Sequence, residues 1–437
     1  MRNEDSNPNA SEMPIIEAEI ASPEGALVKR GFHPAALFAS LAHRDFAFFL
    51  SGAVLSNIGT WIQMVALSWL VLDLTKSPFF VGLVNFAGTV PVTFLVLFAG
   101  VAADRLDRKR LIIGTQVVML VLALLLAYLT QIQAANIPNI IAISLGFGLM
   151  TAIMFPTWQA YLSDIVPKKD LMNAIALNSA QFHAARLVGP AAAGLILAAY
   201  GAAANFYVNA VSFLFVIAAI SAVHTAPRLK TAEFGIIDHL KEGFAYVRGK
   251  PVLAALLWAT GLITLFGMPY ATLMPVYAKN VLGFGASGYG FLMASNGLGA
   301  LIGAMLVGGL ATIVRRETLI KTGTVAFGAG LAALGFVDNV LLAVPILVVC
   351  GGAFLVTSSA INTSLQALTP GRLRGRVMSM YVLMFMGIMP FAGLIFGAVA
   401  EYTGVAVAIA IGGVITSLTG LILTFIPKLI AQAATSS

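Results

Sequence analysis

The chain has 437 residues, of which 59% are apolar and only 10% charged, with a formal net charge of +7. A soluble chain carries roughly a quarter charged residues. One of this length has no water-surrounded core large enough for so much apolar surface. Composition therefore excludes an ordinary soluble globular protein and points to a hydrocarbon solvent, where outward-facing residues need not be polar. The basic excess falls in short clusters between apolar runs, with no basic domain, so nucleic acid is not an expected partner. The single cysteine, Cys350, excludes an intrachain disulfide and a multi-cysteine metal site.

Residues 1–43 read as a mobile cytoplasmic tail, acidic at Glu4, Asp5, Glu12, Glu17, Glu19 and Glu24 and basic at Lys29, Arg30 and Arg44 just beyond it. No apolar segment interrupts the first 30 residues, so no cleavable signal peptide is expected. Twelve apolar runs long enough to span a bilayer follow. They lie near 46–72, 78–103, 110–130, 138–162, 172–199 and 203–223, then 252–278, 286–312, 317–336, 340–368, 375–400 and 405–427. The expected organisation is an all-α membrane protein. An N-terminal six-helix bundle covers 44–223 and a C-terminal one covers 252–428, with a short tail at 429–437. Between the bundles, 224–251 is a cytoplasmic linker in which Ile236, Ile237, Leu240, Phe244 and Val247 recur at helical spacing, the pattern of an interfacial amphipathic helix.

Lys and Arg placement tests the orientation. With the N-terminus inside, 22 of the 25 basic residues fall in cytoplasmic segments. Only Lys76 and Lys279 fall outside, and Arg186 is left within a span. Both termini are therefore expected in the cytoplasm of a bacterial cell, with the chain in its plasma membrane.

The two halves echo each other. Gly100 to Ile112 matches Gly308 to Ile320 at an offset of 208, in the leading Gly, a basic cluster and a trailing apolar pair. Val166-Pro167-Lys168-Lys169 matches Thr369-Pro370-Gly371-Arg372 at an offset of 203, which carries Gly194 onto Gly397. A parallel repeat of two six-helix halves is a common transporter plan, with the substrate path between the halves near midplane.

Gly100-Val101-Ala102-Ala103-Asp104-Arg105-Leu106-Asp107-Arg108-Lys109-Arg110 is the strongest local signal. Gly100 permits close helix approach. Asp104, at a helix end, suits the partly positive N-terminus of another helix. This segment resembles the signature loop of the major facilitator superfamily, in the D-R-x-D-R form of a branch that includes bacterial enterobactin-exporter-like and macrolide-efflux-like proteins. Here Asp107 stands where the usual pattern has Gly. Segments 43–63, 68–83 and 177–195 fit the same branch, so the likeness covers roughly residues 44–425. It implies that Gly100, Asp104, Arg105 and Arg108 form a cytoplasmic gate with Arg374 and Arg376 at the start of the eleventh span. The plainer alternative is a topology anchor.

In the fifth span, Arg186-Leu187-Val188-Gly189-Pro190-Ala191-Ala192-Ala193-Gly194 joins a helix-breaking Pro to small residues. It resembles the Gly-Pro exporter motif of the same superfamily, with Ala185 and Ala193 in place of two expected glycines. Gly189, Pro190 and Gly194 are read as a helix bend, needed for export or only for packing. Arg186 is the one charge near the bilayer centre, where it must face the bundle interior or a wet cavity. It shares a face with Ser179 and His183. Either it meets an anionic part of a substrate or it bonds a neighbouring helix. Asn57, Gln63, Asn85, Gln159, His183, Arg186 and Asn362 are the candidate substrate and proton path. Trp61, Trp69, Trp158 and Trp258 suggest an aromatic lining suited to a bulky amphiphile.

No span holds an acid at mid-depth; Asp73, Asp338 and Glu401 sit near outer ends. The resemblance implies proton exchange, but the residues leave its carrier open. There is no phosphate-cradling GxxxxGK[ST], no HExxH and no GxSxG, so neither an enzyme nor an ATP-driven pump is expected. The expected function is a monomeric secondary exporter of a small amphipathic drug, macrolide-like compound or siderophore. Its expected partners are that small-molecule substrate, protons and membrane lipid, with no cofactor and no metal. A lysophospholipid flippase on the same fold and a non-transporting receptor or scaffold are the alternatives.

Overall fold

The computed structural model describes residues 34–224 and 236–423. The expectations placed on residues 1–33, on 225–235 and on 424–437, with Arg228, Lys230 and Lys428 among them, lie outside the described residues. Pro34–Ala42 is a short 3-10 helix. It is tied down where Ser40 donates to the Asp170 carbonyl (2.9 Å) and His43 Nε2 meets the Asp170 carboxylate (2.8 Å).

The described residues form helices and no strand. In chain order they are α1 (Arg44–Thr75), α2 (Pro78–Arg105), α3 (Arg108–Gln131) and α4 (Ile137–Ile165). The run Leu171–Ala222 is broken at Gly201, whose φ of 77° is left-handed, into α5 before it and α6 after it. The amphipathic α7 (Ile236–Arg248) follows. Then come α8 (Pro251–Asn280), α9 (Ala286–Ile313), α10 (Arg316–Leu334), α11 (Val340–Ala367), α12 (Gly371–Thr403) and α13 (Val405–Ile422).

Ten of these stretches are long and apolar enough to cross a membrane. The 52-residue run counts twice because Gly201 turns the chain, and α10 packs between α11 and α13 as a twelfth crossing. α10 looks less apolar because Arg316, Glu317 and Lys321 occupy its first turns. Large apolar side chains remain exposed around the outside, such as Met305 (77%) and Leu195 (68%), as expected where lipid is the solvent.

Within the first half, α1 packs on α5 and α6, α2 on α4, and α3 on α6. Within the second, α9 packs on α11 and α10 on both α11 and α13. Two seams join the halves, α5 against α9 and α2 against α12.

These seams make the internal repeat physical. α2 and α9 are both 28 residues long, and the offset of 208 carries one onto the other end to end. A Cβ at Gly290 would meet the Pro190 carbonyl oxygen at 2.5 Å; one at Gly82 would meet the Gly393 carbonyl oxygen at 2.6 Å. Gly194 lies against Gly290, and Gly397 against Gly82. Pro190 maps to Gly393 and Gly194 to Gly397 at the offset of 203. Gly201, which turns α5 into α6, maps to Gly404 (φ 85°), which turns α12 into α13. The two seams are thus one packing arrangement used twice, with small residues allowing the backbones to touch.

Candidate functional site

Because successive helices run antiparallel, the molecule has a basic end, holding Arg108, Lys109, Arg315, Arg316, Arg372 and Arg374, and an opposite end. The contacts crossing between the halves begin at the opposite end. Lys279 of α8 pairs with Asp73 of α1, while its ammonium sits 5.3 Å from the centre of the Trp69 ring. Trp69 in turn stacks on the buried Tyr289 of α9. At the other seam the Glu401 carboxylate of α12 accepts from the Ser77 hydroxyl (2.6 Å) and from the Phe79 amide (3.3 Å). That carboxylate therefore satisfies free donors at the N-terminus of α2. Lys76 also pairs with Asp73 (3.5 Å). Lys76 and Lys279, the two basic residues on the wrong side of the charge count, thus share one carboxylate.

Deeper in, Asn85 of α2 donates to the Thr272 hydroxyl of α8 (3.1 Å). Arg186 of α5 donates through Nη2 to the Asn296 side-chain oxygen of α9 (2.7 Å), and Asn296 donates onward to the Leu347 carbonyl (3.3 Å). The guanidinium also lies 5.9 Å from the centre of the Trp61 ring. Arg186 is therefore a bridge across a helix seam, held by a neutral amide and an aromatic face rather than by an acid. Its own backbone carbonyl fills the space beside Gly297.

Gly189, Pro190 and Gly194 divide their work. Gly189 admits Trp61 of α1, whose Cβ is where a glycine side chain would have to go. Pro190 and Gly194 admit α9. His183 lies one turn toward the basic end from Arg186, half-buried, with its Nδ1 unpartnered.

Other predicted path residues separate. Asn57 is bonded to Gln181 of α5 (3.1 Å). Gln63 is buried and accepts from Asn209 of α6 (2.7 Å). Gln159 is exposed on the basic-end half of α4. Asn362 of α11 lines a cavity of about 310 Å³ with Ser358, Ser359, Thr363 and Tyr381. Beside it, a niche is lined by Thr260, Ile263, Thr264, Phe354, Thr357 and Phe385 as well.

The tryptophan lining expected from sequence is corrected by packing. Trp258 is 67% exposed on the outside, Trp158 packs at a tilt on Phe49 within the first half, and Trp69 sits in the seam. The cavity's rings are Phe354, Phe385 and Tyr381 instead. Sequence reasoning passed over these and Thr264. Their signal, hydroxyl and aromatic residues one turn apart on α8, α11 and α12, is faint among so many apolar neighbours.

At the basic end, Gly100, Asp104 and Arg105 belong to the last turns of α2, and their side chains lie outside the described residues. Asp107 caps α3 by accepting from the Arg110 amide (3.1 Å), which accounts for an acid where the superfamily pattern has Gly. Arg108 bonds Asp164 of α4 (2.7 Å) inside the first half, and Lys109 caps α6 through the Ser221 and Val223 carbonyls. Arg376 pairs with Glu242 of α7, while Arg372 and Arg374 are exposed. Gly243 of α7 lies directly against Arg376.

The fold is shared with solved transporters at low sequence identity. A POT family transporter in complex with 5-aminolevulinic acid superposes with a TM-score of 0.72 at 11% identity, covering 88% of this chain and 96% of that one. A bacterial homologue of the human lysosomal transporter Spinster, solved inward-facing and unoccupied, does so with a TM-score of 0.65 at 15% identity, covering 90% and 97%. Among curated proteins, the chain is 26% identical to the staphyloferrin A transporter of Staphylococcus aureus, over 87% of this chain and 96% of that protein. It is 26% identical to the multidrug efflux pump Tap of Mycolicibacterium fortuitum, over 87% and 95%. It is 27% identical to the enterobactin exporter EntS of Shigella boydii, over 72% and 73%. A family model described as transmembrane secretion effector matches residues 35–437. With two repeated six-helix halves, a polar cavity in the second half and that match over nearly its whole length, the chain belongs to the transmembrane secretion effector family of major facilitator superfamily transporters, a family of carriers and not of enzymes.

Proposed function

We propose that this transporter exports a small amphipathic molecule of the siderophore or drug class by alternating access, in exchange for protons. It acts as a monomer in the plasma membrane of a bacterium, with both termini in the cytoplasm. The observation that carries this reading is the distribution of contacts between the halves. They run from the end opposite the basic loops down to Arg186–Asn296 at mid-depth. The polar cavity beside Asn362 lies toward the basic end. With the basic end in the cytoplasm, this is an inward-open arrangement, ready to load a cytoplasmic substrate. The relatives named for staphyloferrin A, enterobactin and drug efflux support the substrate class.

Asp73 and Glu401 are the carboxylates whose bonds hold the outer end shut. Standing at the outer end and bonded across the two halves, they are the proposed points of proton entry. In the outward-open state, Asp104 would engage the basic start of α12, and Arg376 would leave Glu242 to take part.

The test is reversible locking. Phe86→Cys with Phe391→Cys, whose native rings meet across the α2–α12 seam (centroids 5.5 Å apart), joined by a short bifunctional methanethiosulfonate, should stop substrate-driven proton flux in proteoliposomes, and reductant should restore it. Full cross-linking with undiminished flux would exclude alternating access through this end. Movement of labelled lipid without a pH gradient would favour the flippase instead.

A further inference from the structure

The cavity wall supplied by the second half has a chemistry of its own. Three helices build it, and two of them change from α to π geometry there, at Ile263–Gly267 in α8 and Leu383–Gly387 in α12. Single π turns within α-helices recur at functional sites, because the wider turn frees backbone groups and redirects side chains. Phe385 of the second π turn joins a stack with Phe354 of α11 and Tyr381, one turn before it. Phe354 lies over Phe385 (centroids 6.2 Å apart, planes at 23°), and Phe385 over Tyr381 (6.5 Å, 6°).

Hydroxyls edge this stack. Thr260 returns its proton to the Leu256 carbonyl (2.9 Å), the usual habit of a helical threonine. Thr264, one turn on and fully buried, has no partner for its hydroxyl. Thr357, which also lines the niche, is unpartnered too, with its hydroxyl close to Gly323 of α10. Ser358 and Tyr381 link the niche to the 310 Å³ cavity, where Asn362 accepts from Gln366 (2.6 Å). Among the described residues lining either space, none carries a charge at neutral pH.

An unpaired buried hydroxyl lowers stability. Retained beside a cavity and an aromatic stack, it is a donor without its acceptor. We propose that this wall is a subsite for an uncharged aryl group bearing hydroxyl or amide substituents. The ring lies against Tyr381 in the 310 Å³ cavity, and a small substituent enters the niche, whose volume of about 10 Å³ admits one water-sized group, to accept the Thr264 proton. This rests on reading the cavity as the transport path. It assigns the neutral, planar part of the cargo to the second half, while Arg186, the charge at mid-depth, belongs to the first.

The test uses the full chain in nanodiscs and two matched probes by equilibrium dialysis, with empty nanodiscs subtracted. One is 4-hydroxybenzanilide, which is neutral; the other is 4-benzamidobenzoate, the same skeleton as an anion. The wild type should bind the neutral probe at least about tenfold more tightly than the anion. Thr264→Val keeps the shape and removes the hydroxyl. It should weaken neutral-probe binding about tenfold. It should also raise the melting temperature of the ligand-free protein, because an unsatisfied group has gone. Phe385→Leu should weaken binding without that gain.

Unchanged binding in Thr264→Val, equal affinity for both probes, or a lower melting temperature in Thr264→Val would each overturn the subsite. Export failure is separable. If the wild type drives no substrate-linked proton flux but shows this binding pattern, the subsite stands and the exporter reading falls. If flux occurs and the pattern is absent, the subsite alone falls.

Discussion

Arg186 and Asn296 carry the most consequential single contact. A guanidinium at mid-depth in a membrane protein is costly unless its donors are met, and here Asn296 meets one while also holding the Leu347 carbonyl. Asn296→Leu should lower stability by about 2 kcal/mol, the order expected for a hydrogen bond to a charged group. A thermal-shift assay in detergent with unchanged expression reads this. A melting temperature equal to wild type would mean that Arg186 re-pairs freely. Arg186 itself was legible in the sequence as the one buried charge, and its two possible roles were both visible. Only the packing brought Asn296, 110 residues away, to its side. Gln63 shows the reverse. It read as path-lining because it is a polar residue in an apolar helix, but it is buried against Asn209, and helical spacing alone does not say which neighbour faces it.

At the scale of helices, the two seams show why glycines stand where they do. Gly290 and Gly82 each touch a carbonyl of the opposite half, so any side chain there must part the helices. Gly290→Val should overpack the α5–α9 seam by about 1–3 kcal/mol, and under the proposed alternating-access cycle that energy falls on the state in which this end is closed. A cysteine placed at Asn85, behind the seam, should then react faster with an impermeant maleimide from outside. Gly114→Val, where a side chain meets open space, is the control and should leave the rate unchanged. The native Cys350 is fully buried and does not compete. The repeat was detectable in sequence from two short matches. Its meaning was not, because Gly82 and Gly393 look like ordinary small residues until the backbones are seen to touch. The same holds for α7. Its amphipathic period was plain in the sequence, whereas its tie to α12 through Glu242 and Arg376 depends on the path of the chain between the halves.

For the whole molecule, orientation is the property that makes the mechanism directional. With both termini inside, a cysteine at Lys76 should be labelled from outside on intact cells. One at Arg316 should be labelled only after permeabilisation. The reverse pattern would turn the proposed exporter's open end outward. The sequence by itself determined the solvent, the twelve crossings, the two halves and the family. These follow from hydrophobic length, charge asymmetry and short motifs, all of them local properties of the chain. Tertiary structure alone decided which polar residues meet: that Asp73 and Glu401 bind across the halves, that Arg186 bridges a seam, and that the cavity's aromatic wall is Phe354, Phe385 and Tyr381 rather than the tryptophans. The reason is rotational. A membrane helix that is apolar all round gives little sign of which face turns inward, and that choice is made only when its neighbours pack against it.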